Sequence, residues 1–193
     1  MAHTPGFRDR VEAGRALAGA LAGYQAEAPV VVGLTRGGVP VAFEVARALE
    51  APFDICVVRK VGAPTQPEFG LGAVAEGGVV VLDPASVAAV GASAEEVRDL
   101  VAQKLDEIAA RIRTYRKGAA PLDVTGRTVI VVDDGLATGG TARAALRAVR
   151  RRGAEKVVLA VPVGAADSRA SLRAEADDVV CLFAPADFQA VGL

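Results

Sequence analysis

Hydrophobic positions along this chain follow two patterns: short unbroken apolar runs, and longer stretches with an apolar residue every three or four positions. The runs lie at 29–34, 53–58, 128–132, 156–161 and 179–183, the fourth stopped by Pro162. They are rich in valine and isoleucine and do not alternate with polar residues, as expected of strands covered on both faces of a parallel sheet. Helical spacing appears over 7–23, ended by Gly23, from Pro40 to about Glu50, over 93–117, over 142–152 and over 168–176. Ser93-Ala94-Glu95-Glu96 reads as a capping box. The helix it opens carries the stripe Val97, Leu100, Val101, Leu105, Ile108, Ile112 and Tyr115, and its terminal Arg111, Arg113, Arg116 and Lys117 complement the helix dipole. Between Val61 and Gly78, glycines and prolines replace helix formers, so a long loop is expected, with a short hairpin at 71–74 and 79–82.

Strands alternating with helices require right-handed crossovers and a sheet with helices on both faces. The expected fold is a single α/β domain over 1–193 with a five-stranded, mostly parallel sheet in the order 2-1-3-4-5. Residues 61–82 would be a flexible lid loop, 93–117 a long helix insertion, and 184–193, with Phe188 and Val191, a tail or small hood. Ligands bind such sheets at the carboxyl ends of the strands, where the winding direction reverses.

Composition narrows the function by exclusion. With 52% hydrophobic residues and a net charge of -1 over 193 residues, the chain can build a core and offers no electrostatic case for nucleic acid. Cys56 and Cys181 lie inside apolar runs and read as inert buried thiols, and the one histidine, His3, sits at the terminus, which argues against histidine-based zinc or hydrolase chemistry. No apolar window of membrane-spanning length and no signal-peptide core occurs, so a cytoplasmic protein without membrane contact is expected.

The chemistry concentrates where the 128–132 run ends. Asp133-Asp134-Gly135-Leu136-Ala137-Thr138-Gly139-Gly140-Thr141 puts paired carboxylates at a strand tip and a glycine-threonine turn before a helix. Such a turn crowds backbone N–H groups around an anion at the helix's positive end, while paired carboxylates accept hydrogen bonds from a diol or hold magnesium through water. A ribose 5-phosphate suits both halves. Gly140 is followed by Thr141 and not by lysine, which disfavours a P-loop, and no G-x-G-x-x-G follows a strand. A second strand-glycine-helix passage, Thr35-Arg36-Gly37-Gly38, precedes it; on its own such a turn is commonplace.

The string 133–141 resembles the signature of the type I phosphoribosyltransferases, which bind 5-phosphoribosyl 1-pyrophosphate (PRPP) and join its sugar to a nucleobase. The resemblance implies magnesium-dependent transfer with release of pyrophosphate. It assigns the 5-phosphate to Gly135, Ala137, Thr138, Gly139, Gly140 and Thr141, and the pyrophosphate to Thr35, Arg36, Gly37, Gly38 and Arg59. Asp133, Asp134, Lys60 and Glu68 become the candidate catalytic residues, with magnesium held by substrate and water near the two aspartates and by no direct protein ligand. Lys60 also reads as a plain strand-end charge, and Glu68 as a surface glutamate. Ala137 stands where hypoxanthine-type and guanine-type members carry an acid, so the string is most similar to the adenine-type members. The acceptor base stays open. A non-catalytic PRPP or nucleotide regulator on the same fold, or a phosphate-binding scaffold within a larger assembly, are the alternatives. The long helix is expected to pack along the sheet or against a second subunit in a homodimer.

Overall fold

The structure is a computed structural model that describes residues 6–185. His3 and positions 186–193 of the expected tail lie outside the described residues.

The main sheet consists of β1 (Val30–Leu34), β2 (Phe53–Cys56), β6 (Thr128–Val132), β7 (Lys156–Val163) and β8 (Asp178–Phe183) in the order β2-β1-β6-β7-β8, all parallel. This is the expected topology, with β1 and β6 side by side in register from Val30↔Val129 to Gly33↔Val132. Successive side chains of these strands feed opposite layers. Val31, Ile130, Val132 and Val158 pack with Leu17, Leu21, Val41 and Val45 of α1 (Arg10–Leu21) and α2 (Gly38–Ala48). Val30, Val32, Val129, Val131 and Leu159 pack with Leu146 and Val149 of α5 (Gly140–Arg151). Both faces are therefore covered, which is why the runs are apolar without alternation.

Several boundaries differ from the sequence reading, each for a physical reason. The helix expected over 7–23 spans Arg10–Leu21, capped by the Asp9 side chain, and tightens into a 3₁₀ turn at Ala22–Glu27 before Gly23 can end it. The 53–58 run breaks at Val57, whose N–H donates to Glu76 Oε2 instead of a sheet neighbour. Most of the loop expected over 61–82 is strand: β3 (Val58–Gly62), β4 (Gly70–Ala75) and β5 (Val79–Leu82) form an antiparallel sheet. Glycines made this stretch look irregular, yet Gly72 lies so close to the Val81 carbonyl that a side chain would clash, a demand of close strand packing. Only 63–69 remains as a loop, while the 71–74 and 79–82 hairpin is present. The helix α3 (Pro84–Val90), capped by Asp83, was not legible in the sequence. Pro162 does not stop β7, because pairing with β6 ends at Val132↔Ala160 and leaves one side of β7 without a ladder to break. The helix expected over 168–176 is α6 (Ala166–Leu172).

The long helix α4 (Ala94–Arg116) begins with the expected capping box and packs along the small sheet, where Ile108, Leu100, Leu105 and Ile112 meet Val57, Val61, Leu71 and Val74. Its Arg116 does more than answer the helix dipole: it is buried and bonds Asp54 Oδ1 at 2.7 Å and Glu76 Oε1 at 3.0 Å.

Candidate active site

At the carboxyl ends of β1 and β6 a cleft of about 640 Å³ opens. Thr35, Arg36 and Gly37 form one wall, Asp133 to Gly139 with Thr141 the other, and Lys60 and Arg10 also line it. The two loops touch because both of their glycines lack side chains: a Cβ on Gly37 would overlap the Asp134 carboxylate, and one on Gly38 would stand 2.5 Å from the Val132 carbonyl. The Thr35–Arg36 peptide is cis.

The 133–139 turn is held from behind. Leu136 is buried, donates its N–H to the Val163 carbonyl at 2.9 Å and accepts from Ala165 at 2.8 Å, while Ser168 Oγ donates to the Ala137 carbonyl. Gly139 then takes a left-handed conformation, with φ of 79°, to start α5. Among the described residues no protein acceptor takes the N–H groups of Ala137, Thr138 or Gly139. An anchored turn of free amides at a helix N-terminus is a ready anion seat.

The two carboxylates differ in circumstance. Asp134 Oδ2 accepts from Arg10 Nε at 2.9 Å and Arg10 Nη2 at 2.7 Å. Asp133 Oδ1 accepts from the Asp134 N–H at 2.9 Å. Burial first, and the Asp134 charge second, push the Asp133 carboxyl up to about 7, against the opposing pull of the Asp134 N–H and of Lys60. A crowded acid pair of this kind has charge that a diol's donors or a cation would relieve. Among the described residues no group of three or more His, Cys, Asp or Glu side chains could hold a metal alone. The pair suits a hydrated magnesium held mainly by substrate phosphates, since that ion keeps its waters and needs few protein oxygens.

Most of the residues expected at the site come together here: Asp133, Asp134, Gly135, Ala137, Thr138, Gly139, Thr141, Thr35, Arg36, Gly37 and Lys60 line the cleft. Gly38 and Gly140 lie just behind it as the first residues of α2 and α5. Two expected residues stand elsewhere. Arg59 lies on β3 next to Lys60, but its guanidinium is turned to Glu107 of α4 at 3.3 Å, because adjacent strand residues point to opposite faces. Glu68 is exposed in the 63–69 turn and does not line the cleft. Sequence reasoning missed Arg10, which lies in the helix expected over 7–23 and was given no role there. The available signal was its place in the first turn of α1, which runs antiparallel in sense to the strand that follows and so starts beside the strands' carboxyl ends.

Comparison with known proteins agrees with this geometry. Residues 9–192 match the model of the phosphoribosyl transferase domain. The Mycobacterium tuberculosis H37Rv protein named "Putative phosphoribosyl transferase Rv0571c" is 50% identical over 186 residues, 96% of this chain. This chain spans only 42% of that relative's length. The structure of TT1426 from Thermus thermophilus is 47% identical, with a TM-score of 0.80 over 97% of this chain and 89% of its own. A purine phosphoribosyltransferase from Pyrococcus horikoshii, 18% identical with a TM-score of 0.53 over 94% of this chain and 86% of its own, shares the fold. Among the described residues no helix is long and apolar enough to cross a membrane. By its near end-to-end match to the domain model and its facing strand-end loops, the chain belongs to the phosphoribosyl transferase domain family.

Proposed function

We propose that this protein transfers the 5-phosphoribosyl group of PRPP to a nucleobase and releases pyrophosphate. One observation carries the reading: a turn of unpaired amides and a pair of crowded carboxylates share a cleft with a second glycine loop and a lysine. The 5-phosphate sits on the amides of Ala137 to Gly139 and the Thr138 and Thr141 hydroxyls, and the ribose diol donates to Asp133 and Asp134. The pyrophosphate lies along Thr35 to Gly38 with Arg36 and Lys60.

In the reaction a ring nitrogen of the base forms a bond to ribose C1 as the bond from C1 to the pyrophosphate oxygen breaks, and the pyrophosphate leaves with that electron pair. Arg36 and Lys60 offset the charge that grows on it, while the carboxylates fix the sugar and face the positive charge that develops at C1. Asp133 and Asp134 would hold magnesium through water, and the ion would supply further charge neutralisation for the pyrophosphate. The proton lost from the base nitrogen goes to solvent.

The test is pyrophosphate release from PRPP across a panel of purine and pyrimidine bases, with Asp134→Asn alongside. Release with at least one base, cut by roughly two to three orders of magnitude in Asp134→Asn, supports transfer. PRPP binding without release for any base would replace the enzyme with a regulator that reads PRPP through the same cleft.

A further inference from the structure

Of the cations lining the cleft, Arg36 and Lys60 serve the proposed reaction, while Arg10 does not and sits on a residue that the reaction needs. Its Nε and Nη2 both donate to Asp134 Oδ2, at 2.9 and 2.7 Å, so one guanidinium takes up the acceptor capacity of that oxygen. The Asp134 side chain is only 16% exposed, and Oδ2 is backed by Gly37, where a Cβ would stand 2.1 Å from it. A diol reaching for this oxygen must therefore take the direction that Arg10 occupies.

The contact is easily broken. Arg10 is the first residue of α1 and its side chain is 54% exposed, so it keeps much of its hydration and an ion pair of this kind costs little to part. The helix does not depend on it: Leu17, Ala18 and Leu21 hold α1 in the core, Asp9 Oδ1 accepts from the Glu12 N–H at 2.8 Å, and the Phe7 ring lies against Phe183 with centroids 5.4 Å apart. No second protein acceptor awaits the guanidinium among the acids beside it in sequence, since Glu12 pairs with Arg8 and Asp9 caps the helix. In the empty cleft Arg10 offsets the repulsion between two adjacent carboxylates. Over a bound sugar the same guanidinium would oppose the positive charge that develops at C1, so it has to leave before reaction.

We propose that Arg10 is an autoinhibitory plug: it occupies Asp134 while the cleft is empty and is expelled to solvent when a ribose diol takes over Oδ2. The inference rests on the function proposed above for the place of the ribose, and it goes further in making sugar binding a competition with the protein's own side chain. Only a ligand that presents a diol to Asp134 drives the exchange. An anion that fills the 137–139 turn alone leaves the plug in place.

The experiment is calorimetric titration of ribose 5-phosphate and of inorganic phosphate, without added magnesium, into the wild type and Arg10→Gln, together with phenylglyoxal modification of Arg10 in the wild type read by mass spectrometry. Ribose 5-phosphate affinity should rise about twofold to fivefold in Arg10→Gln, while that of inorganic phosphate stays level or falls with the lost positive charge. Saturating ribose 5-phosphate should make Arg10 of the wild type react faster with the reagent, and saturating inorganic phosphate should not. The plug is overturned by equal or lower ribose 5-phosphate affinity in folded Arg10→Gln, by Arg10 reactivity that ribose 5-phosphate leaves unchanged or lowers, or by no ribose 5-phosphate binding to either protein. Should Arg10→Gln fail to fold, the modification of the wild type decides alone. Release of Arg10 by ribose 5-phosphate in a protein that frees no pyrophosphate from PRPP with any base would leave the plug standing and remove the proposed transferase; pyrophosphate release with Arg10 indifferent to the sugar would do the reverse.

Discussion

Two places in this molecule bring a pair of carboxylates together with an arginine, and they are built to opposite ends. At Asp54, Glu76 and Arg116 every charge is matched. Asp54 accepts from Arg116, from the Ile55 N–H at 2.7 Å and from the Leu122 N–H at 2.9 Å, and Glu76 accepts from Arg116 and from the Val57 N–H at 3.0 Å. All three side chains are at most 8% exposed. At Asp133, Asp134 and Arg10 the carboxylates are adjacent, the arginine reaches one of them from a side chain 54% exposed, and the other carries a proton affinity raised toward neutrality. The first cluster ties the end of α4 to the edge of both sheets. The second, at an open cleft, is left with charge for something else to answer. Closure against incompleteness separates a structural ion cluster from a ligand site here, more than residue type does.

Breaking the closed cluster should have the largest effect. Arg116→Met takes the shared cation from two buried carboxylates, leaving Glu76 with none and Asp54 with only Arg152 at 3.8 Å, and should cost about 3 to 5 kcal/mol of stability. Chemical denaturation reads this loss, and PRPP affinity below the melting range should be unchanged.

The open cluster should respond to pH in the sense set by Asp133. Its carboxyl is raised from an ordinary value of 3.8 to about 7, so between these values the folded state holds the proton more tightly than the unfolded chain. Stability from this group is therefore present at low pH and is lost as pH rises toward 7. Asp133→Asn removes the penalty, so it should stabilise the protein at pH 8 by about 1 to 2 kcal/mol, solvent screening included, and do little at pH 5. Thermal unfolding at the two pH values checks this. Equal effects at both would place the Asp133 proton elsewhere.

Arg10→Gln should do least to the fold, since an exposed ion pair of this kind is worth under about 1 kcal/mol. It frees the Asp134 oxygens from a competitor, so ribose 5-phosphate affinity should rise by about twofold to fivefold in titration. A fall would make Arg10 a ligand-binding residue in its own right.

The sequence carried the main sheet well because β1, β6 and β7 are buried on both faces, so burial writes itself as uninterrupted Val30–Leu34 and Thr128–Val132. It carried the loops of the cleft because their demands are local: Gly37 and Gly38 for close approach, Gly139 for a left-handed start to α5. The small sheet was harder to see. Its glycines at 70 and 72 serve packing against neighbouring backbone, yet in sequence they look like loop punctuation. Residues that act across the fold left no local mark at all. Arg10 meets Asp134 across 124 positions and Arg116 meets Asp54 across 62, so each looks like any other arginine on a helix. Arg59 and Lys60 show the converse limit, since their adjacency in sequence conceals that only Lys60 lines the main cleft while the Arg59 guanidinium is paired with Glu107.

The most direct measurement is calorimetric titration of PRPP with magnesium into the wild type and into the double variant Asp133→Asn, Asp134→Asn. The account predicts saturable binding at one site in the wild type, weakened at least about tenfold in a double variant that stays folded. Absence of PRPP binding to the wild type, or equal binding by both proteins, would contradict it.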